Sequence, residues 1–347
     1  MPDSLRILYV DAFSTLAAWA NTQGLAAAYR RAGELYTYDY RAKTHETKAP
    51  WSRPEIWECP EWKELVACGL QSMRDDLVKV AAWYKPDLVH LGKCEYLDGE
   101  TVKRIKAKTD AFVVHYYGDF SRKPKPWVVD IGGIADWTLL CHQDLDIVTM
   151  HKEAGCQRVG FWWTGTDPSV YYPRKVEKRD FDIVFMGRPI REGGCERAEL
   201  LSTLAQIDLN VHVFGGNWTK MRGLKQVHFH RFTDGDGLAW ACSRAKIALS
   251  LNANVRMYAS WRRIFNTMAS GAFLLIRYFP GLETVFTRCE HLQWFTTRSE
   301  AVEKVRYYLE NEDQRNEIAQ RGSEIVRQKH TWDVRVSEIL SLREAGQ

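Results

Sequence analysis

Short apolar runs alternate with longer amphipathic stretches along most of the chain. Residues 5–10 read as a first strand, followed by Asp11 and a helix over about 16–31 with small apolar residues on one face. Further helices are predicted over 70–83 and 98–108, and strands over 86–91 and 111–115, the latter running into Tyr116-Tyr-Gly-Asp119. Residues 146–150 read as the last short strand of this half, and 41–62 as an irregular, basic and aromatic stretch. Strands that alternate with helices imply a parallel sheet covered on both faces.

The pattern restarts after a Gly/Asp/Pro cluster at 164–173, a linker by turn chemistry. Residues 180–186 form a strand ending in Gly187-Arg188, and 197–205 a helix. A strand over 210–214 leads into the turn Gly215-Gly216-Asn217-Trp218. The strand over 227–231 puts His228 and His230 on one face, and the strand over 247–252 ends in polar residues at Asn252. The segment from Tyr258 then places Phe265, Met268 and Ala269 at helical spacing, with Gly271 where a helix end favours a left-handed residue. Residues 273–276 are a buried parallel strand by pattern, and 299–309 and 312–328 are amphipathic helices.

With 347 residues, 45% hydrophobic and 27% charged, the chain suits about two ordinary globular domains. Its net charge of +4 is too small to imply nucleic acid by itself. The charge is uneven: residues 1–170 carry 21 Lys+Arg against 23 Asp+Glu, and the remainder 27 against 21, so the second half is the one suited to a diphosphate. Eight scattered cysteines without a C-x-x-C pair argue for reduced thiols, a cytoplasmic protein and no zinc site. Neither a signal peptide nor an apolar run near the roughly 18 residues of a membrane span is apparent.

Candidate chemistry gathers after the strand end at Asn252. Arg262, Arg263 and Asn266 follow by about one loop and a helical turn, where ligands of open α/β sheets bind. An Arg fork suits a phosphate and an Asn one turn on suits a ribose hydroxyl; the same residues also fit a solvated helix face. His228 and His230 lack an evident third metal ligand. Asp144-x-Asp146, Asp180-x-Asp182 and Asp234-x-Asp236 each spell D-x-D, too often to single out a metal–diphosphate site; the first two flank strand starts and the third lies in a Gly-rich loop.

The order Arg263-x-Phe265-x-x-Met268-Ala-Ser-Gly271-Ala-Phe-Leu-Leu, then Pro280-Gly-Leu-Glu283, resembles the donor-binding segment of GT-B glycosyltransferases. It is most similar to the spore-maturation-protein-like (glycosyltransferase family 1/4-like) branch, whose members often read Arg-x-Phe-Glu where this chain has Asn266. Lys85-Pro-Asp-Leu-Val-His, Val113-Val-His-Tyr-Tyr-Gly-Asp119 and the Asp167-Pro168…Tyr172-Pro173 crossing are similar to the same branch.

The resemblance implies an α/β protein of two Rossmann-like domains facing across a cleft: an acceptor-side domain over 1–173, a nucleotide-sugar domain over 174–328, and a helix over 329–347 returning to the first domain. It implies transfer of a hexosyl or pentosyl group from a nucleotide diphosphate-sugar, a UDP- or GDP-sugar, to a hydroxyl acceptor, with no other cofactor and no metal. The donor set it implies is Gly187, Arg188, Gly216, Asn252, Tyr258, Arg263 and Asn266. Asp119, His115 and Asp11 are the acceptor-side candidates for catalysis; each also fits a structural cap or a core histidine. Two other readings stay open: the same chemistry on a hydroxylated base of phage-type DNA, gripped by Lys103/Arg104/Lys106/Lys108 and Arg122/Lys123/Lys125/Trp127, or a non-catalytic nucleotide-sugar or nucleic-acid binding module.

Overall fold

The computed structural model describes residues 4–13, 19–41, 60–119, 121, 123–141, 144–189, 195–207, 209–216, 218, 224, 227–251 and 261–346. The chain divides into two compact units, 1–163 with 335–347, and 164–334.

Unit 1 runs β1 (Arg6–Asp11), α1 (Trp19–Ala32), β2 (Glu34–Asp39), α2 (Pro60–Tyr84), β3 (Leu88–Leu91), α3 (Gly99–Thr109), β4 (Phe112–Tyr117), α4 (Pro126–Gly132), β5 (Trp137–Leu140), α5 (Leu145–Glu153) and β6 (Val159–Phe161). Its six strands are all parallel, in the order β2-β1-β3-β4-β5-β6. The chain therefore changes direction along the sheet between β1 and β3, the switch point beyond which ligands of such sheets bind. Leu8, Val10, Val89, Leu91 and Val113 form the core with Leu77 and Ala81 of α2 and Val102 and Ile105 of α3. The start of α3 is fixed by Asp98, whose carboxylate accepts from the Thr101 amide at 2.8 Å and hydroxyl at 2.6 Å.

Two sequence expectations are corrected here. Residues 146–150 are not a strand but lie in α5. Asp144 caps that helix by accepting from the Asp146 amide at 2.9 Å, and Ile147 and His151, four apart, are its buried positions. The short β-branched run concealed a helical period. Residues 60–62 likewise open α2 rather than close an irregular stretch.

Unit 2 runs β7 (Phe181–Met186), α6 (Cys195–Gln206), β8 (Val211–Phe214), β9 (Val227–His230), α7 (Asp236–Arg244), β10 (Ala245–Ser250), α8 (Trp261–Ala269), β11 (Phe273–Arg277), β12 (Gln293–Phe295), α9 (Arg298–Glu310) and α10 (Glu312–Lys329). These strands too are parallel, in the order β12-β11-β10-β7-β8-β9. Counted from the β9 edge this is the 3-2-1-4-5-6 order of dinucleotide-binding sheets, with its switch point between β7 and β10. Ile183, Phe185, Val211, Val213 and Leu249 pack against Leu200, Leu201 and Leu204 of α6 and Ala301 and Val305 of α9. Between α8 and β11 the chain turns at Gly271 (φ 77°), a left-handed conformation with Pro173 packed where a side chain would stand.

Helix α11 (Trp332–Ala345) closes the fold, and its residues from Arg335 onward belong to unit 1. Arg335, Val336 and Ile339 are buried there, and Arg343 lies 3.9 Å from Asp87. No helix among the described residues is long and apolar enough to cross a membrane.

Candidate active site

In unit 2 a pocket opens at the carboxyl ends of β7 and β8, beside the switch point. Met186, Gly187 and Phe214 come from the strand ends, Phe232, Thr233 and Asp234 from the loop after β9, Leu238 from α7, and Arg262, Arg263 and Asn266 from α8. The two strand ends meet closely: the Gly187 amide donates to Phe214 O at 3.0 Å, and Trp218 Nε1 donates to Gly187 O at 2.8 Å. A Cβ on Gly215 would stand 2.0 Å from that same Gly187 oxygen, so only glycine fits there. Around Gly216 nothing among the described residues lies within 4 Å of where a Cβ would be.

Helix α8 delivers the polar groups. Its spacing buries Ile264, Phe265 and Met268 and carries Asn266 inward with them, at 1% exposure. The Asn266 Oδ1 is buried and has no hydrogen-bond partner among the described residues. Such an orphan acceptor is rare in a folded protein and costs about 1–3 kcal/mol, so a ligand donor is the natural partner. One turn earlier Arg263 lines the same pocket. Its neighbour Arg262 is held by Asp234 at 2.6 Å, and Asp234 also accepts from the Tyr171 hydroxyl at 2.7 Å and the Gly235 amide at 3.0 Å. Burial and then this carboxylate push the Tyr171 hydroxyl far up, so it stays a donor.

Of the residues singled out in the sequence, Gly187, Arg263 and Asn266 thus share one pocket. Arg188 is exposed and offers its carbonyl to Arg197 NH1, while Gly216 sits in the turn after β8. Asn252 and Tyr258 lie outside the described residues. Asp234, Phe232 and Arg197 escaped the sequence reading. Asp234 was visible only as one of three D-x-D coincidences; of the others, Asp144-x-Asp146 opens α5, and Asp180 and Asp182 pair with Arg244 and Lys246.

The strand carrying His228 and His230 joins a third histidine. His212 Nδ1 lies 2.8 Å from His230 Nε2, and the His228 ring stacks on His212 at 4.7 Å. The His212–His230 contact is a hydrogen bond between the two rings, and no group of three or more metal-type ligands is present among the described residues.

In unit 1 the acceptor-side candidates lie along the carboxyl edge of the sheet. Asp11 ends β1 at the switch point and accepts from the Tyr9 hydroxyl and the Ala12 amide, both at 2.7 Å, and from Thr22 at 3.3 Å. Burial raises its pKa, and these donors only partly offset that. Gly92 is required opposite, since its Cβ would fall 2.4 Å from the Asp11 carboxyl carbon. His115 is fully buried, its Nε2 3.2 Å from Lys93 O, and burial lowers its pKa to about 4. Asp119 is half exposed and pairs with Lys93 Nζ at 2.6 Å. Lys93 therefore links His115 and Asp119, a role no motif announced.

Comparison with known proteins bears on both units. Residues 191–341 match a family model described as glycosyl transferase-like, which covers less than half of the chain. No curated protein matches. Solved structures do. Sucrose-phosphate synthase from Thermosynechococcus elongatus superposes with a TM-score of 0.66 at 15% identity over 98% of both chains. An alpha-glucosyltransferase in complex with UDP and a 13-mer DNA containing a HMU base gives 0.67 at 12% identity over 99% of this chain and 100% of that one. The fold is GT-B. HepE of Anabaena, in complex with UDP and glucose, is similar over 97% of this GT-B chain and 99% of its own, with a TM-score of 0.63 at 13% identity.

Proposed function

We propose that this protein is a glycosyltransferase of the spore-maturation-like branch that moves a sugar from a nucleotide diphosphate-sugar to a hydroxyl acceptor. The observation that carries the reading is the orphan Asn266 Oδ1, buried beside Arg263 in a pocket at the switch point of a 3-2-1-4-5-6 sheet. A ribose hydroxyl donating to that oxygen satisfies it, and the diphosphate then reaches Arg263 and the strand end at Gly187. UDP in two of the similar structures supports a uridine donor.

In this proposal the acceptor oxygen attacks the anomeric carbon as the bond to the diphosphate oxygen breaks. The bonding electron pair leaves with the diphosphate, where developing negative charge is met by Arg263. Asp119 takes the acceptor hydroxyl proton, its carboxylate held in place by Lys93 Nζ at 2.6 Å. Asp11 and His115 support that edge from beneath. Cationic side chains replace a divalent metal in stabilising the leaving group. Six free thiols among the described residues accord with a cytoplasmic location.

A second reading has its own support, the likeness over nearly the whole chain to an enzyme solved with DNA. The basic sets expected to grip DNA fare unevenly. Arg104 pairs with Asp75 and Lys106 with Asp136, and Trp127 packs on His115 and Tyr117 rather than standing free. Lys123 and Lys125 are exposed, and Arg122 lies outside the described residues.

The deciding experiment is a donor-hydrolysis screen over UDP-, GDP-, ADP- and TDP-sugars, with and without EDTA and with and without hydroxymethylated DNA. Release of UDP that persists in EDTA is expected. Release from no donor, with or without DNA, refutes the enzyme; stimulation only by DNA selects the second reading; activity abolished by EDTA and restored by Mn²⁺ refutes metal independence.

A further inference from the structure

Arg262 stands in the first turn of α8 and lines the pocket, and so does the carboxylate that holds it. Asp234 Oδ2 accepts from Arg262 NH1 at 2.6 Å, while Oδ1 accepts from the Tyr171 hydroxyl at 2.7 Å and the Gly235 amide at 3.0 Å. The three donors come from separate parts of unit 2: α8, the stretch at 164–173, and the residue that precedes α7. The loop carrying Asp234 is itself fixed. Gly235 is left-handed at φ 55°, and a Cβ on Gly237 would stand 1.9 Å from the Thr233 hydroxyl oxygen.

An ion pair at a protein surface contributes little and needs no such support. This one is drawn inward, the carboxylate 13% and the guanidinium 28% exposed, in the wall of a pocket. The Arg262 side chain spends only NH1 on Asp234 and makes no other hydrogen bond among the described residues. Because a guanidinium is a rigid planar fork, fixing one nitrogen leaves Nε and NH2 as oriented donors for whatever fills the pocket.

We propose that Arg262 bridges Asp234 and the donor diphosphate, so that the pocket distinguishes a nucleoside diphosphate from its nucleoside through this residue. Asp234 is the positioning residue that holds the guanidinium ready, and Tyr171 holds Asp234. The inference rests on the donor-site reading above and adds a second cation to it. An arginine ordered before the ligand arrives loses less freedom on binding than a loose one. The Asp234 charge works against a nearby anion, so its two effects on UDP oppose each other and only a double-mutant cycle parts them.

Calorimetric titration of the full chain with uridine and with UDP is made on the wild type, Arg262→Ala, Asp234→Asn and the double variant. Asp234→Asn keeps an oxygen to accept from Tyr171 and Gly235 but loses the charge that holds Arg262. In Arg262→Ala the UDP-to-uridine affinity ratio falls by about tenfold or more and uridine stays within about twofold. Asp234→Asn weakens UDP while Arg262 is present and does not weaken it in the Arg262→Ala background. An unchanged ratio in Arg262→Ala reduces the pair to a surface ion pair and overturns the proposal. Unchanged or tighter UDP binding in Asp234→Asn overturns it too, since the carboxylate then merely competes for the cation, and so does equal weakening of uridine and UDP. If Arg262→Ala does not fold, Arg262→Lys decides: it keeps a charge without the fork, so a lowered ratio supports the bridge and a ratio kept in full overturns it. Failure of the wild type to bind UDP refutes the donor-site reading itself, whereas UDP binding indifferent to Arg262 refutes this inference alone.

Discussion

Replacing Asn266 by leucine separates a ligand site from an ordinary packed interior, because the two readings give opposite signs. The side chain is 1% exposed and its Oδ1 has no partner among the described residues, a burden of about 1–3 kcal/mol on the ligand-free protein. Leucine has nearly the same volume and removes that oxygen; the change of shape costs less than about 1.5 kcal/mol. The empty Asn266→Leu protein is therefore expected to gain about 0–2 kcal/mol, raising its thermal midpoint by about 2–4 °C for each kcal/mol gained. Donor binding moves the other way. A ribose hydroxyl left facing hydrocarbon loses about 1–3 kcal/mol, or about 5- to 150-fold in the Kd for UDP. Differential scanning fluorimetry without ligand, beside calorimetry with UDP, reads both quantities on one preparation. A midpoint several degrees lower with an unchanged Kd refutes the reasoning, since it makes the amide a structural member of α8.

Three further outcomes are expected. Arg263→Ala lowers kcat by roughly two to three powers of ten with an unchanged thermal midpoint, because it removes charge stabilisation that grows as the diphosphate leaves; unchanged donor kinetics in the folded variant sink the assignment. Gly215→Ala drives a methyl into the Gly187 carbonyl and costs roughly 2–3 kcal/mol in urea unfolding, whereas Gly216→Ala, with open space around it, is near neutral; equal effects contradict the close approach of β7 and β8. The protein loses stability in acid: unfolded imidazoles take a proton below about pH 6.5, but folded His115 and His90 refuse it until about 4 and about 3. The stability they contribute is present above pH 6.5 and falls by roughly 1.4 kcal/mol per pH unit for each as pH drops toward 4, and His115→Gln should flatten that slope in urea titrations from pH 7 to 4.5.

How much of this was legible in the sequence follows from how each element buries itself. Strands β3, β7 and β11 are mostly apolar and almost wholly buried because both faces are covered, and the pattern marks them. Edge strand β2 mixes half-buried residues with one buried Tyr38 and showed no such run. The run 146–150 in α5 reads as a strand because a short stretch cannot distinguish a strand from a helix; its cap at Asp144 carries the information. In the site, Arg263 and Asn266 were legible because they lie one turn apart on a single helix. Asp234, Arg197 and Lys93 were not, since their meaning lies in partners 28, 54 and 26 positions away: Arg262, Leu251 and Asp119.

That residues 335–347 belong to unit 1 gives the two halves different histories during synthesis. Unit 2 is one unbroken stretch, 164–334, and has all its parts once Val334 has been made. Unit 1 emerges first, yet its last stretch, with the buried Arg335, Val336 and Ile339, arrives only after all of unit 2. At about 5–20 residues per second the ribosome takes roughly 10–35 s over that interval. For that time the first half lacks its closing stretch, open to chaperones and to neighbouring nascent chains. The half that is made first is finished second.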